Sequence, residues 1–171
     1  MADIQYNFIN LPSRIEFENG HVISYLYDAD GIKLRTTHII GSDTTVTDYC
    51  GNVIYENGIP VKLLTEAGYV TLADSKYHYF VQDHLGNNRV VVDQSGNVEE
   101  VNHYYPFGGL LSSSVSNAVQ PYKYNGKELD RKNGLDWYDY GARMYDAALG
   151  RWHAVDPMSE KYYSWSPYTY C

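Results

Sequence analysis

Apolar and polar side chains alternate at every second position in several short runs of this chain. The plainest are His21-Val22-Ile23-Ser24-Tyr25-Leu26-Tyr27 and Lys76-Tyr77-His78-Tyr79-Phe80-Val81-Gln82. A period of two places successive side chains on opposite faces, so each run predicts a half-buried β-strand. The gaps between runs hold Asn-Gly at 19–20, 57–58, 125–126 and 133–134, and Asp-Gly at 30–31. These dipeptides accept the positive φ of two-residue hairpin turns, and strands joined that tightly pair antiparallel.

Three blocks vary one theme: a tyrosine-containing strand, a polar residue, a glycine turn and a second strand. They are ISYLYDADGIKLRTTH, TVTDYCGNVIYENGIPV and YHYFVQDHLGNNRVVVDQSGNVEEVNHYY. Their spacing is irregular, so the repeat is degenerate. A lone hairpin is marginally stable at best, and the predicted fold is therefore all-β, a strip of antiparallel hairpins stacked edge to edge. The pattern lapses between Pro106 and Pro121, where PFGGLLSSSVSNAVQP predicts a long loop. Helical signals are confined to a single turn over Lys127–Lys132 and a short stretch over Met144–Leu149. Such a strip leaves unpaired strands at its ends, which predicts self-association through those edges.

Composition narrows the function classes. A chain of 171 residues suits one domain with its own core. Tyrosine is over-used, 19 against four phenylalanines, and it favours half-buried strand surfaces that give its hydroxyl a polar partner. The net charge is −8, with four basic and ten acidic side chains in residues 1–75 and nine and eleven in residues 76–171. Neither half offers the basic surface that a nucleic-acid backbone requires. No run approaches membrane-spanning length, and no basic-then-apolar start marks a signal peptide. Cys50 and Cys171 are the only cysteines, which excludes zinc ribbons and C-x-x-C redox motifs and leaves one disulfide as an option. His38, His78, His84, His103 and His153 show no His-x-x-x-His or His-Glu-x-x-His spacing, so neither a metal nor another cofactor is expected. Ser112 to Ser114 lack the nucleophile elbow of a hydrolase.

The residues also resemble a known family. YLYDADGIKL resembles the YD repeat, in which Tyr-Asp precedes a glycine turn, and YNFINLPSRIEFENG resembles the part upstream of such a repeat. From Tyr77 onward, YHYFVQDHLGNNRVVVDQSG, YYPFGGLL, YNGKELDRKNGLDWYDYGARMYDAALGRW and VDP follow in an order similar to the core domain of the Rhs family. The resemblance divides the chain into YD-repeat-like hairpins over 1–75 and the Rhs core domain over 76–171. It implies a fragment of a β-cocoon shell whose hairpins spiral around a variable C-terminal polypeptide, commonly a toxin. The implied partners are the rest of the shell and that cargo, in a parent protein that is secreted, delivered by a secretion system or held at a cell surface.

The resemblance further implies an intramolecular aspartyl protease, chemistry that needs two carboxylates sharing a proton and an arginine to orient one of them. Arg151 of LGRW and Asp156 of VDP match the arginine and the first aspartate. The second aspartate belongs to a later Asp-Pro segment, whereas the sequence reaches only SPYTYC. The segment is therefore expected to serve as wall and not as enzyme, with Arg151 paired to Asp156 for structure. A further alternative is glycan binding on the ring faces of Trp137, Tyr138 and Trp152, against which stands plain cross-strand packing of those rings with Tyr140 and Tyr145. On incubation the purified chain should stay uncut; a cleavage product that disappears in Asp156→Asn would contradict this expectation.

Overall fold

The computed structural model describes residues 3–112, 115–116 and 120–170, and within them the chain is a set of antiparallel strands with three single 3-10 turns. Twelve strands form one sheet in strict chain order. They are β1 (Asp3–Tyr6), β2 (Pro12–Glu16), β3 (Val22–Tyr27), β4 (Lys33–Ile40), β5 (Asp43–Cys50), β6 (Val53–Glu56), β7 (Ile59–Thr65), β8 (Gly68–Thr71), β9 (Lys76–Gln82), β10 (Asn88–Asp93), β11 (Val98–Val101) and β12 (Val115–Ser116). A smaller sheet follows the same rule with β13 (Glu128–Asp130), β14 (Trp137–Asp139), β15 (Met144–Asp146) and β16 (Arg151–Trp152).

The joints explain the repeat. At 7–11, 17–21, 28–32, 83–87, 93–97, 105–109 and 123–127 the first N–H donates to the fifth carbonyl, and the fourth N–H donates back to the first carbonyl. The fourth residue, Asn10, Gly20, Gly31, Gly86, Gly96, Gly108 or Gly126, has positive φ, the signature of a three-residue loop closed by a left-handed bulge. Asp28 fixes its loop by accepting the N–H groups of Asp30 and Ile32 at 2.9 and 2.8 Å. Asp83 and Asp93 do the same and also take the side-chain amides of Asn87 and Asn97. In the Tyr27-Asp28 pair the aspartate is thus the acceptor on which the turn closes, and Asp83 and Asp93 play the same part after Gln82 and Val92.

These loops change the turn assignment. Asn57–Gly58 is a two-residue turn with φ of 50° and 79° between the paired Glu56 and Ile59, but Asn19-Gly20 and Asp30-Gly31 lie in the longer loops. The other two Asn-Gly pairs sit in the 3-10 turns Tyr124–Gly126 and Lys132–Gly134. The helical turn expected over Lys127–Lys132 is strand β13, and the one expected over Met144–Leu149 begins as β15. Burial of one face decides the conformation of these short segments over weak helix propensity. Within the loop expected from Pro106 to Pro121, β12 pairs with β11; Ser113, Ser114 and residues 117–119 lie outside the described residues, as does Cys171.

The small sheet is covered on both faces. Trp137 and Met144 close with Leu135 on Ile15, Ile23 and Tyr25 of β2 and β3. On the opposite face Leu129, Tyr138 and Tyr145 pack with Tyr124, flanked by Tyr104, Tyr140, Trp152 and Tyr170. Tyrosine serves this second core because its hydroxyls reach backbone carbonyls of the 105–109 loop and of β10. Tyr138 donates to Gly108 O, Tyr145 to Phe107 O, Tyr124 to Pro106 O and Tyr104 to Asn88 O, at 2.8 to 3.1 Å.

Carboxylates share the face of Trp137, since Glu128 pairs in register with Asp139 and Asp130 with Trp137. Lys33 lies 2.8 Å from Glu128 and 2.6 Å from Asp139, with 11% of its side chain exposed. Tyr49 donates to Glu128 at 2.7 Å. Asp130 accepts from Tyr25 at 3.0 Å and meets His38 Nε2 at 2.9 Å. Burial works against the Lys33 ammonium, but Glu128, Tyr49 and Asp139 overcome it and hold its pKa well above the ordinary lysine value. Burial likewise works against the Asp130 carboxylate; His38, the Lys132 N–H and Tyr25 outweigh it and hold that carboxyl below its usual range.

Two outcomes follow for stability. Gly68 has φ +155°, and a Cβ there would fall on the carbonyl of His78 across the β8–β9 pair. Gly68→Ala should therefore cost roughly 2–4 kcal/mol in urea unfolding, whereas Gly20→Ala, with open space around it, should cost about 1 kcal/mol. At Asp83, desolvation is outweighed by the side-chain and backbone N–H groups of Asn87, the Leu85 N–H and Arg89, which bring the carboxyl down to about 2. Its folded pKa lies below the unfolded value of about 3.9. Its stabilisation is accordingly complete above about pH 4 and is lost as pH falls through about 2. Unfolding midpoints measured across that window should fall less steeply in Asp83→Asn.

Candidate functional site

After β16 the chain returns along the small sheet. Trp152 N–H donates to Tyr168 O at 3.0 Å, Asp156 N–H to Pro167 O at 2.9 Å, and Arg151 bridges to Thr169. These contacts tie the base of the loop between residues 156 and 167, and they place Asp156 beside the residue that precedes β15, Arg143. Arg143 Nη2 donates to Asp156 Oδ2 at 3.3 Å, and its guanidinium lies 4.3 Å above the Trp152 ring. Met158 N–H donates to the other carboxylate oxygen at 2.7 Å. Arg143 Nη1 is buried and has no hydrogen-bond partner among the described residues. The pair opens on a cavity of about 320 Å³ whose wall includes Tyr162, Trp165, Tyr170, Ser159 and Thr169.

This arrangement corrects the expected pairing. Arg151 is exposed on β16, and it is Arg143, eight positions earlier, that meets Asp156. Strand alternation supplies the reason: Trp152 pairs with Tyr145 and faces the aromatic core, so its neighbour Arg151 points away. That signal was present in the sequence. A single acidic partner in the cavity, with an arginine donating to it, can orient a carboxylate, but the described residues bring no second aspartate to it.

The aromatic candidates take the packing alternative. Trp137 and Tyr138 are each 1% exposed and offer no ring face to a sugar. Trp137 packs against His153, with centroids 3.6 Å apart, and burial, only partly offset by Asp146, pushes the His153 pKa down. Trp152 is half-buried, with Arg143 over its ring and Tyr140, Tyr145 and Tyr170 around it. The more exposed rings are Tyr162, Tyr163 and Trp165 in the 156–167 loop.

Of the histidines, His38 is paired with Asp130 and His78 with Glu99, while His78 also stacks on Tyr69 at 4.4 Å. No group of three or more His, Cys, Asp or Glu side chains suited to a metal occurs among the described residues. Cys50 is free and exposed. A second cavity, about 460 Å³, lies between β4–β7 and the segment leading into β13; His38, Tyr49, Lys62, Lys123 and Glu128 line it. No helix of the described residues is long and apolar enough to cross a membrane.

Arg143→Ala should remove the cover from Trp152 and the partner from Asp156, lowering stability by about 1 kcal/mol and speeding amide exchange at Asp156 and Trp152. Arg151→Ala should change unfolding by less than about 0.5 kcal/mol.

The architecture is shared with known proteins. The TcdB2–TccC3–TEV crystal structure superposes with a TM-score of 0.76 at 18% identity, over 91% of this chain and 9% of that one. Salivary gland surface protein 1 of Aedes aegypti is 31% identical over 92% of the chain, and toxin subunit YenC1 of Yersinia entomophaga is 30% identical over 65%. The chain spans 5% and 13% of those two relatives. The sequence model of the teneurin YD-shell matches residues 62–168. With the sequential hairpin strip and its tyrosine-lined second sheet, that match shows that the chain belongs to the teneurin YD-shell family, as a shell domain of the Rhs and YD-repeat type.

Proposed function

We propose that the chain is a wall segment of a shell that encloses a polypeptide carried C-terminally in the same protein. Support comes from the strip itself. Twelve strands in unbroken chain order build a wall that can be extended at β1, and the YD-shell match covers the part that carries the second sheet. Residues 1–75 serve as YD-repeat hairpins and residues 76–171 as the core domain, in a secreted or delivered parent. The partners are neighbouring shell segments and the enclosed cargo, in line with the toxin-complex names of the relatives and structural neighbours. Assembled with the rest of its shell, the segment should shield a C-terminally placed reporter domain from added protease; digestion at the rate of the free reporter would overturn the proposal.

The Arg143–Asp156 pair favours a second role. With a further aspartate supplied to the 320 Å³ cavity, Asp156 would share a proton with it and activate water, while Arg143 holds the ionised carboxylate. In a chain extended through that aspartate, cleavage should appear and should be lost in Asp156→Asn; equal cleavage in the variant would exclude this role. Glycan binding remains the other alternative, with the exposed rings of the 156–167 loop in place of Trp137 and Tyr138 as its platform. Loss of binding on a glycan array in Trp165→Ala would support it, and unchanged binding would count against it.

A further inference from the structure

Glu100 is fully buried on β11, and one of its oxygens gathers three nitrogens. Oε1 accepts from Lys123 Nζ at 2.5 Å, from Asn102 Nδ2 at 2.5 Å and from Gln120 Nε2 at 2.9 Å. Asn102 is 1% exposed, and Lys123 and Gln120 are 3% exposed, so water is excluded from the cluster. Two nitrogens each 2.5 Å from one oxygen are at most about 5 Å apart. The backbones that carry them are fixed: Asn102 N–H donates to Arg89 O at 2.7 Å and Asn88 N–H to Lys123 O at 3.1 Å. Two acceptors in the cluster, Glu100 Oε2 and Asn102 Oδ1, are buried with no partner among the described residues, whereas Gln120 Oε1 is taken by the Tyr122 N–H.

We propose that Lys123 and Asn102 become joined by an amide bond, with Glu100 as the proton shuttle. The buried ammonium of Lys123 passes a proton to Glu100, in keeping with burial pushing the lysine pKa down against the pull of Glu100. The carboxyl group then donates to Asn102 Oδ1, the acceptor that lacks a partner, and the neutral amine attacks Asn102 Cγ. Glu100 takes a proton from the attacking nitrogen and returns it to Nδ2. The Cγ–Nδ2 bond breaks, ammonia leaves, and an Nζ–Cγ amide remains. Every atom comes from the two side chains, and no oxidant or co-reactant is required. Holding the groups in a dry, ordered site supplies the proximity that such a reaction needs. The product staples the end of β11 to the segment leading into β13, across the junction between the two sheets.

Intact mass under denaturing conditions, followed by peptide mapping of the folded, purified chain, tests this. The wild type should be lighter than its sequence mass by about 17 Da, the mass of ammonia, and should yield a branched peptide carrying both Lys123 and Asn102. Lys123→Arg and Glu100→Gln should each show full mass. Wild-type protein at full sequence mass with Lys123 and Asn102 in separate peptides would overturn the proposal, and so would a branch joining Lys123 to Gln120. The wild-type mass and peptide map are decisive by themselves, whether or not the variants fold.

Discussion

Of the carboxylates on the Trp137 face of the four-stranded sheet, three must find partners on the strip before that sheet can be buried. A buried acid without a cation or hydroxyl beside it costs several kcal/mol. Lys33, His38, Tyr25 and Tyr49, all from β3–β5, supply those partners to Glu128, Asp130 and Asp139. Apolar contact between Trp137, Met144 and the Ile15–Ile23 patch would hold the sheets together, yet it would tolerate sliding. The charged seam fixes one position. Once it is set, the opposite face of β14 and β15 must be covered too, and the tyrosine cluster, the 105–109 loop and the returning 153–170 segment cover it. The pairing of Arg143 with Asp156 is a consequence of that return.

The strip rests on a different principle. Each strand pairs with its sequence neighbour, so the contacts are local and the large sheet can be extended without crossovers. The drawback is a run of tight turns whose backbone groups need partners. Asp28, Asp83 and Asp93 meet that need from within the turn, and tyrosine hydroxyls meet it from across the core. Phenylalanine would fill the same space but leave the carbonyls of Pro106, Phe107 and Gly108 without those donors. The abundance of tyrosine over phenylalanine is therefore a hydrogen-bonding requirement as much as a packing one.

Much of this was legible in the residues. Alternation in β3 and β9 and the Gly-containing turns pointed to stacked antiparallel hairpins. Alternation also held the answer at β16, where Trp152 inward means Arg151 outward. It failed at Trp137 and Tyr138 for a physical reason: adjacent strand residues both bury when a sheet is covered on its two faces, and a pattern of period two then carries no information about exposure. Pairings such as His38 with Asp130, 92 positions apart, or Lys33 with Glu128, 95 apart, leave no local trace. The short helical signals were overridden because three-residue strands are defined by what they cover and not by their own propensity.

Hydrogen exchange followed by mass spectrometry in Lys33→Met tests the central claim, that the charged seam docks the small sheet onto the strip. Without the ammonium, Glu128 and Asp139 stay buried with no cation beside them, a loss of about 3–5 kcal/mol. Protection should collapse in β13–β15 and at Asp156, while β9–β11, which supply none of the seam's partners, should keep most of theirs. Unchanged protection of β13–β15 in that variant would contradict the account.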